Sequence, residues 1–156
     1  MPALPPGLYG LDDIEPGDNL LTDYVTVNAQ SIEAFAMLTG DSFEIHLSDE
    51  GAQRHNFPAR VAHGLLVLAL IEGLKFQSPV QFHTYAALGW DWSFGTPVYA
   101  GDQIRAHIVV KSKRNAGPDK GLLTLTLTVE NQKAEIVQTG QARLMAYRQS
   151  PKPNAV

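Results

Sequence analysis

The chain contains no cysteine. That absence excludes a disulfide framework, a thiolate metal site and a cysteine nucleophile. It is compatible with a reducing cytoplasm, the expected location. Charge of one sign is also scarce. The formal net charge is −4, and the densest basic stretch is Lys111-Ser112-Lys113-Arg114, so no nucleic-acid partner is expected. Long apolar runs are missing. The longest, 61–74, is interrupted by His63 and Glu72 and falls short of the ~20 residues that cross a bilayer, so no membrane partner is expected either. The opening MPALPPGLYGLDDIEPGD has neither a basic start nor an apolar centre and does not read as a secretory signal. Also absent are a G-x-S-x-G elbow, a P-loop and a G-x-G-x-x-G turn.

What is present suits one compact unit, residues 1–156, with an irregular leader over 1–19 and a flexible tail over 149–156. The pattern predicts a short strand over 21–27. Asn28 then caps a helix over 29–38, with Ile32, Phe35 and Ala36 on one face and Gly40 as its stop. Ser48 caps a further helical turn within 47–54, and Pro58 breaks the chain. A helix over 61–76 is apolar nearly all round, which predicts burial on most sides.

After Pro79 the period changes to two. Ala86, Leu88, Trp90, Trp92 and Phe94 alternate with polar or small residues, as do Ile104, Ala106, Ile108 and Val110, and then Leu123, Leu125, Leu127 and Val129. A fourth, less regular run covers 134–147, with turns expected at 96–102, 115–121 and 131–133. Helices followed by a run of strands argue an α+β fold, an antiparallel sheet curled around the one strongly apolar helix.

Three places carry possible chemistry. Asp41 and His46 are five residues apart, a spacing that neither a helix nor a strand would aim at one point. A loop could, and the Gly40 stop predicts one. Converged, they would form a carboxylate and imidazole able to share acid and base roles near neutral pH. His63-Gly64 opens the apolar helix, where free N–H groups and the positive dipole end can stabilise an oxyanion. Glu72 lies nine residues further on, on a helix with little other charge; it either faces solvent or an interface or acts as an acid. Trp90 and Trp92 read as core, or as walls of an acyl pocket. His55, His83 and His107 show no metal-ligand spacing, and no metal is expected.

In combination these stretches resemble the MaoC-like hydratase/dehydratase family, (R)-specific enoyl-CoA hydratases included. The helix–loop pattern [ST]-G-D-x-N-P-[LIV]-H appears as Thr39-Gly40-Asp41-Ser42-Phe43-Glu44-Ile45-His46. V-x-H-G-x-L appears as Val61-Ala62-His63-Gly64-Leu65-Leu66, and F-x-x-P-V-x-x-G-D as Phe94 through Asp102. The resemblance implies a hot-dog fold around the 61–76 helix, a homodimer or higher assembly, and an acyl-CoA thioester substrate. Coenzyme A enters as part of that substrate, and no separate cofactor is implied.

It further implies that Asp41 and His46 activate the water added to an enoyl thioester, with Gly64, flanked by His63, binding the thioester carbonyl. Phe43 and Glu44 stand where the family has Asn-Pro, so this pair marks the substrate loop; a Glu44 that pointed inward would disfavour an anionic acyl tail or bind a polar one. Two alternatives stay open. Glu72, with His63 and Gly64, partly meets the pattern of hot-dog acyl-CoA thioesterases, and a non-catalytic acyl-CoA-binding subunit would keep the fold alone. Lys113 and Arg114 are candidates for the coenzyme A phosphates.

Overall fold

Period-two alternation in the second half of the chain becomes an antiparallel meander. The computed structural model describes residues 2–151. Strands β1 (Gly7–Tyr9), β2 (Asn19–Leu21) and β3 (Val25–Thr26) precede helices α1 (Ala29–Thr39), α2 (Asp49–Gln53) and α3 (Gly64–Gln77). Strands β4 (Val80–Phe82), β5 (Thr84–Phe94), β6 (Gln103–Asn115), β7 (Lys120–Asn131) and β8 (Ile136–Tyr147) follow. The main sheet runs β2-β6-β7-β8-β5, with β3 also on β6. Ile104, Ala106, Ile108 and Val110 of β6 and Leu123, Leu125, Leu127 and Val129 of β7 are buried, as the alternation requires. They close over Leu66, Val67, Ile71 and Leu74 of α3.

α3 begins at Gly64 rather than at residue 61, because Val61 and Ala62 are spent in extended pairing: Val61 bridges Tyr99, and Ala62 N–H donates to Val98 O (2.8 Å). Nor is α3 buried on most sides; Leu65 and Phe76 face outward. The cap expectations hold at α1. Asn28 Oδ1 accepts from Ser31 N–H (2.8 Å), and Gly40 ends the helix in the left-handed region at φ 81°. Ser48 caps α2 by accepting from Gly51 N–H.

Three expectations change. The leader is not irregular throughout: β1 pairs in parallel with β4, and Leu11 and Ile14 are buried. A three-residue strand whose partner lies some seventy residues away carries no local period. The 21–27 strand is divided into β2 and β3 around buried Thr22, whose Oγ1 accepts from Ala106 N–H (2.9 Å). In β5, two irregularities of pairing with β8 break the alternation; Trp92 packs on the core while Leu88, Trp90 and Phe94 stay exposed. The expected flexible tail lies partly outside the described residues, but Gln149 O accepts from His83 Nδ1–H at 2.9 Å.

Ile71 is completely buried between α3 and the sheet. Ile71→Ala should lower the unfolding free energy by about 2–5 kcal/mol with little collapse of the site, measured by chemical denaturation.

Candidate active site

The stretch between α1 and α2 explains how a five-residue spacing can converge. Gly40 turns the chain out of the helix, and Asp41 Oδ1 accepts weakly from Phe43 N–H (3.4 Å). A 3-10 turn, Glu44–His46, then swings His46 back. Asp41 Oδ2 and His46 Nε2 end 3.9 Å apart, Asp41 exposed and His46 buried.

His46 is held from several sides. Its Nδ1–H donates to Val61 O (2.8 Å), which leaves the Nε2 lone pair facing Asp41. Arg60 Nε donates to the His46 carbonyl (2.6 Å), and Arg60 N–H donates to Asp49 Oδ1 (2.8 Å). Burial holds the His46 imidazole below its ordinary histidine pKa, chiefly because a charged ring would be desolvated there. The bond to Val61 works in the opposite direction, and the nearby Asp41 carboxylate opposes it too, more weakly than the His63 ring lowers it. The net result is a neutral ring with a free acceptor, the state a general base requires.

The three sequence blocks meet at residues 61 and 62. Val61 N–H donates to Ile45 O (2.9 Å), Val61 O accepts from His46 Nδ1–H, and Ala62 N–H donates to Val98 O (2.8 Å). Val98 belongs to the third block, whose Gly101 sits at φ 96° and whose Asp102 Oδ2 accepts from Tyr99 N–H. Directly after this junction α3 opens at Gly64. An apolar cleft of about 200 Å³ lies there, lined by His46, Phe57, Gly64, Phe94, Val98 and Gln138 among others. The N–H groups of the first turn of α3 have no intrahelical partner. A Cβ on Gly64 would come within 2.5 Å of the Phe94 ring, so any larger residue there would have to push that ring aside.

His63 is not a cleft residue. Its Nε2–H donates to the Asp41 carbonyl (2.9 Å), its ring stacks on His46 (3.8 Å, 22°), and Phe35 packs nearby. It braces the loop instead of touching the cleft. Its buried Nδ1 has no hydrogen-bond partner among the described residues. Asp41, His46 and His63 do present ligand atoms within 4.8 Å of one another. Each ring has one nitrogen already committed, His46 Nδ1–H to Val61 O and His63 Nε2–H to the Asp41 carbonyl.

Glu44 points away from the cleft. Its carboxylate accepts from Arg54 Nε (3.0 Å) and Nη2 (2.7 Å) and contacts His55 Nε2 (2.7 Å). The Arg54 bonds, followed by the His55 contact, hold its carboxyl below the usual glutamate value. Phe43 packs on His55 (4.9 Å). These contacts join the 3-10 turn to α2 and leave Glu44 no part in reading an acyl tail. Glu72 accepts from Lys75 Nζ (2.9 and 3.0 Å); nine helical residues place it about 13 Å along α3 from His63, and it does not line the cleft. Lys113 is bound to Leu11 O and Glu15 near the end of β6. From Ile104 that is about 30 Å along the strand, and neither Lys113 nor Arg114 lines the cleft. Arg60 and Gln138 lay outside the sequence-based candidates; neither carries a motif, and each acts through a partner distant in sequence.

A sheet wrapped over one central helix, with the site at the start of that helix, defines a hot-dog protein. A solved Mycobacterium tuberculosis chain described as having a double hotdog fold superposes at TM-score 0.78 with 24% identity, covering 95% of this chain and 47% of that one. The sequence model of the MaoC like domain matches residues 13–133, and the chain belongs to that family. It is 34% identical over 115 residues to an (R)-specific enoyl-CoA hydratase of Aeromonas caviae, spanning 73% of this chain and 82% of the relative. A solved MaoC-like dehydratase from Rhodospirillum rubrum superposes at TM-score 0.82 with 25% identity, covering 92% of this chain and 99% of that one.

The geometry predicts that ¹⁵N NMR finds His46 as the Nδ1–H tautomer at neutral pH. Its titration midpoint should lie below the ordinary histidine value of about 6.5. A midpoint above that value would contradict the burial argument.

Proposed function

We propose that this protein is a lyase that adds water to an enoyl thioester of coenzyme A, or removes it from the 3-hydroxyacyl thioester. The observation that carries the reading is His46 Nε2, free to accept, 3.9 Å from Asp41 Oδ2 and beside Gly64 at the start of α3. Two acceptors at that separation can take the two O–H donors of one water molecule. His46 withdraws a proton as the water oxygen bonds to C3, and the pair returns a proton to C2. The C2–C3 π electrons shift toward the thioester, and the charge on its carbonyl oxygen falls to the Gly64 N–H and the positive end of α3. The reverse sequence eliminates water.

The cleft supports a short acyl group: about 200 Å³ is near the ~150 Å³ that accommodates one benzene in an engineered cavity. The named hydratase relative supports the same class of substrate. A thioesterase built on Glu72 has less support, since that carboxylate is tied to Lys75.

A homodimer, the rest of the reading, is supported by β5. It is an eleven-residue strand at the edge of the sheet, with Tyr85, Leu88, Trp90 and Phe94 exposed. An edge this long and apolar suits pairing with a second copy. A cytoplasmic location completes the proposal; no helix of the described residues is long and apolar enough to cross a membrane.

The assay is loss of enoyl absorbance with a panel of trans-2-enoyl-CoA substrates of increasing length. Asp41→Asn and His46→Ala should each reduce kcat by about 10²–10⁴-fold, whereas Glu72→Gln should stay near wild type. With His46 as base, kcat/KM should fall on acidification only below about pH 6.5. Thiol release without hydration, more sensitive to Glu72 than to Asp41, would reject the reading. Sedimentation should show a dimer, and Trp90→Glu should shift it toward monomer; a monomeric wild type would remove the dimer from the proposal.

A further inference from the structure

Gln138 is a polar side chain in an otherwise largely apolar cleft, and only 3% of it is exposed. A carboxamide buried there must be hydrogen-bonded at both ends to be tolerated. Its Oε1 accepts from Trp92 Nε1–H (2.8 Å), and its Nε2 donates to Gly64 O (3.0 Å). The direction of the amide is not arbitrary. An indole N–H only donates and a peptide carbonyl only accepts, so a flipped amide would face both partners with the wrong atom. Trp92 is in turn packed against the core from β5. A chain of two hydrogen bonds therefore runs from β5 through β8 to the first residue of α3.

Gly64 needs such an anchor. It has no side chain, it begins a helix, and its N–H has no intrahelical acceptor, so its own element restrains it least of all. One hydrogen bond from outside the helix holds it, the Gln138 amide on its carbonyl, and the Phe94 ring fills the space where a side chain would begin. Fixing the carbonyl fixes the rotation of the glycine unit, and with it the aim of the first N–H groups. The same bond polarises the peptide group that carries the Leu65 N–H, making it a stronger donor.

We infer that Gln138 is a positioning residue for the thioester-polarising N–H of Gly64. This rests on the role proposed for Gly64 above. Gln138 does not act on the reacting atoms; it sets the orientation of the group that does.

The test is isotope-edited infrared spectroscopy of carbonyl-labelled butyryl-CoA, a saturated thioester that cannot be hydrated, bound to the full-length protein. In the wild type the carbonyl stretch should lie below its solution frequency. In Gln138→Leu it should move back toward the solution value, with kcat for the enoyl substrate down about 10–100-fold and KM nearly unchanged. Gln138→Glu keeps the acceptor for Trp92 but sets an oxygen against Gly64 O, and should be at least as damaging. Trp92→Phe leaves the donor to Gly64 but frees the amide to rotate, and should move the frequency the same way by less.

A wild-type carbonyl shift retained in Gln138→Leu overturns the inference and leaves the Gly64 role standing. A loss confined to KM also overturns it, making Gln138 only a wall of the cleft. No shift in the wild type itself overturns the Gly64 role, and this inference falls with it. Should Gln138→Leu fail to fold, Trp92→Phe decides: an unchanged carbonyl frequency and kcat in that variant overturn the inference.

Discussion

The hydrogen bond from His46 Nδ1–H to the Val61 carbonyl is the constraint on which the site depends. It does three things at once. It selects the tautomer whose free lone pair faces Asp41. It fastens the 3-10 turn to the extended segment that leads into α3. It satisfies one end of a buried ring that would otherwise be costly to place there. Val61 in turn donates to Ile45 and bridges Tyr99, so the imidazole is tied through Val61 both to its own turn and to the connection between β5 and β6. His63 and Arg60 reinforce the arrangement from either side, one by stacking and by holding the Asp41 carbonyl, the other by holding the His46 carbonyl.

The core and the site share one helix. Burial of Ile71, Val67 and Leu74 against β6 and β7 fixes the axis of α3, and the axis fixes where its N-terminus points. The N–H groups at Gly64 are therefore positioned by apolar packing further along the same helix. Desolvation by the same packed surroundings keeps His46 in the uncharged state of a base. A more exposed imidazole would lose that desolvation, and the N–H groups at Gly64 would be solvated.

How far the sequence could be read follows from how local each feature is. The Asn28 cap, the Gly40 stop and the alternations of β6 and β7 depend on neighbours within a few residues, and they were legible. The β1–β4 pair and the split around Thr22 depend on partners far along the chain, and they were not. Asp41 and His46 were legible as a pattern, but their convergence needed the Asx-type contact at Phe43 and the 3-10 turn. Glu44 shows the limit most plainly. Its place in the substrate loop left the direction of its carboxylate open, and Arg54 and His55 offer it partners on the outside; a carboxylate goes where its hydrogen bonds are. Gln138 left no trace in any motif, since a lone glutamine on a strand is usually a solvated residue.

By itself, the sequence determined the three helices and the long strands β5 to β8, which faces of β6 and β7 turn inward, and which residue types are available for acid–base work, because periodicity, caps and composition act over short distances. Only the tertiary structure decided which of those residues meet. It brought the Val61–Ala62 segment between His46 and Val98, turned Glu44 to Arg54 outside the cleft, and set Gln138 on the Gly64 carbonyl. Each of those outcomes is a choice among hydrogen-bond partners beyond the reach of local periodicity, and it is made only as the elements pack together.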